Sequence, residues 1–392
     1  AVDVSAGNYF SVITKNNGQI LVFGANENGQ LGTGESLSYQ IPQKLEGMKV
    51  QNVATNTNGS YFVDSNGSLW AVGNDQYGDL GNGNAGSSYD PIKVVDGNVT
   101  SIVSKNITVL FKDANGSLHG FGNGAHGRLA NNSQSTRISP IMVHDANVSS
   151  FSTGEGHSAM VLTDGSLWTF GRNGYGQLGD GNTTSRLMPV KIEDGNVTQV
   201  AAGWNQTLFL KTDGSVWAMG LNHVGQLGDG TQINRLSPVK VIDENATGVA
   251  CGNEFSFVLM NDGSLLAFGS NGSYRAGLSI ETNILTPQLV FASGVQAVSG
   301  GANHSLFLKN DGSLWASGLN QNGKVGAGAK DASVPLTKIV DSGVAGASAG
   351  NQHSLYWTTN GDVYVFGSDA SGQLGLRTQY VRTPRVLYDP GS

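Results

Sequence analysis

The stretch DGSLWTFGRNGYGQLGDG, residues 164–181, returns 49 residues later as DGSVWAMGLNHVGQLGDG, residues 213–230. Recurrence at a fixed period of this size marks a repeat array, in which each copy is one structural unit that buries its apolar face only against its neighbours. The glycine of the Asp-Gly or Asn-Gly pair sets the period, falling at Gly18, Gly67, Gly116, Gly165, Gly214, Gly263, Gly312 and Gly361. Every step is 49 residues, and the units 1–49, 50–98, 99–147, 148–196, 197–245, 246–294, 295–343 and 344–392 account for all 392 residues. A single domain built from one array is expected.

Composition narrows the class. Fifty-seven glycines, 13% charged and 38% hydrophobic residues describe short strands between tight turns rather than long helices. No apolar run approaches the roughly 18 residues of a membrane helix, so membrane insertion is not expected. The net charge of −7 and the lack of a Lys/Arg cluster remove the electrostatic drive for nucleic-acid binding.

The fifth repeat, 197–245, can be read strand by strand. VTQVAAG (197–203) alternates apolar and small residues, and TLFLK (207–211) is apolar on consecutive positions, as in a strand covered on both faces. Asp213-Gly214 supplies a hairpin turn, predicted to be of the two-residue kind. SVWAMG (215–220) returns as a third strand. After a long glycine-rich loop, PVKVID (238–243) is the fourth, with Pro238 at its start, where a missing N–H does least harm. Four antiparallel strands in units of this length favour an all-β fold, a closed β-propeller of four-stranded blades around a central channel. Eight blades are expected, with seven plus a redundant repeat as the alternative.

Two columns of the internal alignment agree. The sixth position of each repeat is small (Ala6, Thr55, Ser104, Thr153, Ala202, Cys251, Gly300, Ala349), as on an innermost strand crowded at the axis. The third position after the turn glycine is bulky (Leu21, Trp70, His119, Trp168, Trp217, Leu266, Trp315, Tyr364) and reads as packing between blades.

The combination G-x-x-H-S, DG-S-L-W-x-x-G, N-x-x-G-Q-L-G-x-G and P-x-x-V resembles the regulator of chromosome condensation repeat. It is clearest in residues 154–181, in ANHSLFLKNDGSLWASG (302–318) and in NQHSLYWTTNG (351–361). The resemblance covers the whole chain and implies a β-propeller, usually of seven blades with somewhat longer repeats. It departs in NTNGS (56–60), KNITV (105–109), GRLANN (127–132) and YRAGLS (274–279). The family's nucleotide exchange on a small GTPase depends on an insertion and a basic tail. The equal repeats show neither, so exchange or other GTPase regulation stands as an alternative function. A bacterial inhibitor of the same fold grips a protein with loop aromatics, which needs only a rigid ring with varied loops. The low charge, single cysteine and Asn/Ser/Thr/Gly-rich composition resemble bacterial secreted or cell-surface members of the family, with a cytoplasmic scaffold as the alternative.

H-E-x-x-H does not occur in the sequence, and G-x-S-x-G occurs once, as GASAG (346–350), in a repeat with no room for the strand-to-helix turn that gives the motif its chemistry. His157, His304 and His353 share a column that elsewhere holds Phe10, Gly59, Thr108, Gln206 and Phe255, so they read as structural groups bonded to nearby backbone. Cys251 reads as a small packing residue, and Arg137, Arg186 and Arg235 as braces of the long loop. No catalytic residue, metal or cofactor is expected, although an enzyme with its site at the channel mouth is a further alternative. Binding leads, because rigid scaffolds carry function on their variable loops. The first-to-second and third-to-fourth strand loops share one face, and aromatics exposed there would anchor a protein or glycan partner. Trp204 is the first candidate, with Tyr9, Tyr77, His126, Tyr175, His223, Glu254, Tyr274 and Arg275 as companions on the rim of an expected monomer.

Overall fold

The computed structural model describes residues 3–15, 17–34, 39–45, 49–57, 59–84, 86–328, 332–360, 362–368 and 380–388, the strands at 39–45 and 380–388 by their backbone alone. Gly361, read above as a turn glycine, lies outside these residues.

Each repeat folds into one four-stranded antiparallel sheet with its strands in chain order, and there are eight such sheets. The seven-blade alternative is thereby excluded. Blade five shows how the sequence produces a blade. Its strands are Val197–Ala202, Gln206–Lys211, Val216–Gly220 and Arg235–Ile242. Successive side chains of a strand point to opposite faces. From the second and third strands, Phe209 and Met219 pack with Ala159, Val161 and Leu167 of blade four. Leu208, Leu210, Val216 and Ala218 pack with Val249, Val258 and Phe268 of blade six. Both faces are therefore covered, which is why 207–211 is apolar without alternation. Full burial of one such side chain contributes roughly 1.5–3 kcal/mol.

Two details of the strand reading change. The hairpin has three loop residues rather than two: Lys211 N–H donates to Ser215 O (2.9 Å) and Gly214 N–H to Lys211 O (3.0 Å). Gly214 sits in the left-handed region at φ +77, the geometry of a type I turn followed by a glycine bulge. The fourth strand also starts earlier, at Arg235, so Pro238 stands inside it. Pairing passes from Ala218↔Val239 to Gly220↔Arg235, a shift that places Pro238 in a bulge on the outermost strand. A bulge at a sheet edge is where the ladder loses least from the missing N–H.

The bulky column packs as read. Trp217 lies against the cluster that joins blades four and five. It stacks on Phe209 with centroids 6.4 Å apart, and the Lys211 and Lys240 ammonium groups stand 4.7 and 5.6 Å from its ring. The small column lines the axis, where Ala6, Thr55, Ser104, Cys251, Gly300 and Ala349 form the wall of a channel.

The ring closes without sharing a strand between the first and last repeats. Val4, Ile13 and Phe23 of blade one instead enter the same apolar cluster as Leu355, Val363 and Val365 of blade eight. His353 Nε2 and Ser11 Oγ meet across this seam at 2.8 Å. The same bond joins His157 to Thr207 (2.9 Å) and His304 to Ser354 (2.8 Å) in the next blade. The histidines are structural, but their Nε2 partner is a hydroxyl of the neighbouring blade rather than backbone. The Thr207 hydroxyl donates to Gln177 O (2.8 Å) and that of Ser354 to Lys324 O (2.8 Å). Each hydroxyl is thereby left to accept from the imidazole, so the ring proton belongs on Nε2.

Candidate functional site: the loop face and axial channel

The third-to-fourth strand loop is a built structure. In blade five, Asn222 Nδ2–H donates to Asp229 Oδ1 (2.9 Å), Thr231 O (3.0 Å) and Ile233 O (3.2 Å), while its Oδ1 accepts from Leu227 N–H (3.0 Å). Arg235 pairs with Asp229, and Arg186 with Asp180 one blade earlier, which bears out the bracing role of these two arginines. Leu221 N–H donates to Asn205 O (2.9 Å), tying the long loop to the first-to-second strand loop of its own blade. The two loop sets thus share one face. The opposite face carries the hairpins. In blades four and five Asp213 Oδ1 accepts from Ser215 N–H (2.9 Å) and Oγ (2.6 Å), and Asp164 does the same with Ser166. In blades two and three the acid stands two residues earlier, Asp64 and Asp113 accepting from Ser68 and Ser117 N–H (2.9 Å each).

On the loop face, the candidates fall into one arc and two outliers. Trp204 is exposed (39%), and its backbone N–H reaches Asn253 O of blade six at 3.3 Å. On the blade-six side, His223 is exposed and stands 3.4 Å from Glu254 Oε1. Glu254 also faces Arg275, which is half-buried and donates from Nε to Gly272 O at 3.0 Å. Tyr274, beside Arg275, is half-buried in a single 3₁₀ turn with φ +62. On the other side, half-buried Tyr175 lies under the Arg172 guanidinium at 5.9 Å, and Arg172 approaches Glu155 Oε2 at 3.9 Å. His126 is exposed in a left-handed conformation, and partial burial beside Arg128 and Arg172 lowers its pKa. Tyr9 (45% exposed) and Tyr77 (39%) sit on blades one and two, and no contact ties them to this arc among the described residues.

Several charged groups on this face were missed by the sequence reading. Arg128 and Lys324 are buried at the position that holds Gln30, Gln177 and Gln226 in other repeats. Lys324 Nζ donates to Asn351 O at 3.4 Å, and burial pushes its pKa down to about 8. Asp79, at the same position in blade two, is buried, and desolvation together with Asp75 pushes its carboxyl up to about 7. Lys105 enters the axial channel from blade three. The available signals were a column that alternates between glutamine and charged residues and, for Lys105, a charged residue in a column otherwise of glycine and one asparagine.

The channel opens on the loop face as a cavity of about 400 Å³, ringed at its mouth by Asn8, Asn106, Asn253 and Asn351. Among the described residues, no group of three or more His, Cys, Asp or Glu side chains is placed to hold a metal ion. No helix among them is long and apolar enough to cross a membrane.

Comparison with known proteins places this architecture. Human WBSCR16 superposes with a TM-score of 0.70 at 19% identity, covering 86% of this chain and 98% of its own. Prp20p from Saccharomyces cerevisiae gives 0.65 at 19% identity over 98% and 88%. Yeast RCC1 (Prp20) in complex with Kap60 gives 0.64 at 18% identity over 95% and 84%. At these identities the likeness establishes the fold. No match is found among curated proteins. The model of the RCC1-like domain matches residues 1–290 and again 142–389, overlapping stretches that together span nearly all of the chain. On that evidence the protein belongs to the RCC1-like domain family.

Proposed function

We propose that the protein is a non-catalytic binding module that recognises a protein partner through its loop face. The carrying observation is the arc from His126 to Arg275, where exposed Trp204 stands between charged and aromatic side chains, while the hairpins of the opposite face repeat one backbone turn from blade to blade. Aromatic and arginine side chains on a pre-ordered surface lose little entropy on binding and are favoured anchors at protein interfaces. Two structural neighbours add support, one being yeast RCC1 bound to Kap60 and the other Prp20p, described with binding properties to Gsp1p and histones. The low charge and single cysteine support a secreted or cell-surface setting, which fractionation of the native source tests.

Capture from the native environment, comparing the natural chain with Trp204→Ala/Tyr175→Ala, tests the reading. Loss of the captured protein at an unchanged thermal midpoint is expected. A midpoint that falls by many degrees would make these rings part of the core, and capture that survives both changes would move the site elsewhere. Retention of a glycan with no protein would replace the partner class.

A further inference from the structure

The axial channel carries an inference independent of the rim. Column seven of the repeats reads Gly7, Asn56, Lys105, Gly154, Gly203, Gly252, Gly301 and Gly350. The glycines are enforced locally. A Cβ on Gly154 would lie 2.5 Å from His157 Cε1, one on Gly203 2.5 Å from Gln206 Cδ, and one on Gly252 2.2 Å from Phe255 Cζ. The side chain three residues on therefore covers this Cα and forbids another. Only where that residue is small, Gly59 or Thr108, does the column hold a side chain, Asn56 or Lys105. Lys105 uses this freedom to extend into the channel.

The one carboxylate facing it, Glu155, is shared with other cations. An ammonium group has three donors. Among the described residues, that of Lys105 makes one hydrogen bond, to Ala202 O two blades away at 3.5 Å. Enclosure lowers its pKa, with Cys251 and Glu155 opposing the shift. Cys251 cannot balance the charge near neutral pH, because burial raises its thiol to about 12. Glu155 is shared, since it also faces Arg128 and stands 3.9 Å from Arg172. Arg128, 9% exposed, has an Nη1 with no partner among the described residues. Lys324 is 1% exposed and donates to the carbonyl of Asn351, a residue of the same mouth. Enclosed cations in excess of nearby acids are costly unless an anion joins them. The cavity is within the size range of small-ligand sites.

We propose that the loop-side mouth of the channel is a carboxylate-binding site, in which Lys105 pairs with one carboxylate and the surrounding asparagine amides hydrogen-bond its oxygens. Among the described residues lining this mouth Lys105 is the single cation, and a single ammonium matches a monoanion, whereas a phosphate dianion is better met by arginine forks or several cations. The carboxylate comes from a free small organic acid or from the C-terminus of an extended peptide, for which the glycine-lined wall leaves room.

The test uses the 392-residue chain with ¹³Cε-labelled lysine, the Lys105 signal being assigned by its loss in Lys105→Gln. Acetate, pentaglycine and pentaglycine amide are titrated at low salt. Acetate and pentaglycine are expected to shift the Lys105 signal and raise its apparent pKa, and the amide to leave it unmoved. Affinity for pentaglycine at least tenfold above that for acetate assigns the chain terminus as the source, and equal affinity assigns the free acid. Lys105→Arg should keep acetate affinity within tenfold, and acetate should no longer raise the thermal midpoint of Lys105→Gln. The proposal is overturned if Lys105 does not respond to either carboxylate, if the amide acts equally, or if chloride or inorganic phosphate competes as well as acetate. No protein partner is needed, so the outcome is separate from that of the rim.

Discussion

At His157, His304 and His353 the imidazole is buried, neutral and shared between two blades. Burial, with Lys105 and Arg128 nearby, pushes His157 down to about 3. Burial alone does the same to His353, and burial with Lys324 and His353 holds His304 well below its usual value. The unfolded chain protonates these rings near pH 6.5, so below pH 6.5, and down to about 3 for His157 and His353, it binds more protons than the folded chain. Their contribution to stability is complete above pH 6.5 and is lost as pH falls through that window, at about 1.4 kcal/mol per pH unit for each ring. Gln206 occupies the same column, its Nε2 reaching Gly252 O at 3.4 Å, so glutamine fits there. The triple change His157→Gln, His304→Gln and His353→Gln should flatten the fall of urea-unfolding free energy between pH 6.5 and 4. An unchanged slope would assign the acid sensitivity to carboxylates instead.

Within a blade, the hairpin between the second and third strands is the most uniform part, and its glycine does the limiting work. At Gly214, φ is +77, and an added Cβ would meet Asn245 N of the following connection at 2.4 Å. Both the dihedral and the close approach oppose a side chain, and Ala246 N–H donates to Gly214 O at 3.0 Å, so the turn also anchors the start of the next blade. Gly214→Ala should cost at least about 1 kcal/mol, read as a lower urea midpoint, with faster amide exchange at Lys211 and Ala246. The Asp-Gly signal announces a turn at this element, but two and three loop residues share that signal. The glycine bulge that adds the third loop residue appears only in the hydrogen bonds of Lys211 and Gly214 and in the Gly214 dihedral. Pro238 is similar: its place after a loop suggests a strand start, and the register with Ala218 and Gly220 puts it inside a bulged edge strand.

Across the whole ring, closure depends on a seam with no shared strand, held by the cluster around Leu355 and the His353 to Ser11 bond. Leu355→Ala removes a fully buried side chain from that seam and should cost about 2–5 kcal/mol. Hydrogen exchange should quicken in blades one and eight before blades four and five. Uniform exchange around the ring would mean that the seam is no weaker than the other interfaces. Radial packing also brings Lys105 of blade three to Ala202 O of blade five.

The sequence by itself determined the period, the four strands of each unit, the small inner and bulky outer columns, and the separation of uniform hairpins from variable loops. These follow from local chemistry repeated at equal spacing: alternation, turn glycines and side-chain size are legible one unit at a time. Tertiary structure decided the number of blades in the ring, the partners of the column histidines, and which rim residues meet. His223 and Glu254 come from different repeats, as do Lys105 and Ala202, and only radial packing sets their distances. It also decided that Tyr9 and Tyr77 stand apart from the arc. Charge balance at the axis is a sum over all blades at once, so no single repeat could reveal it.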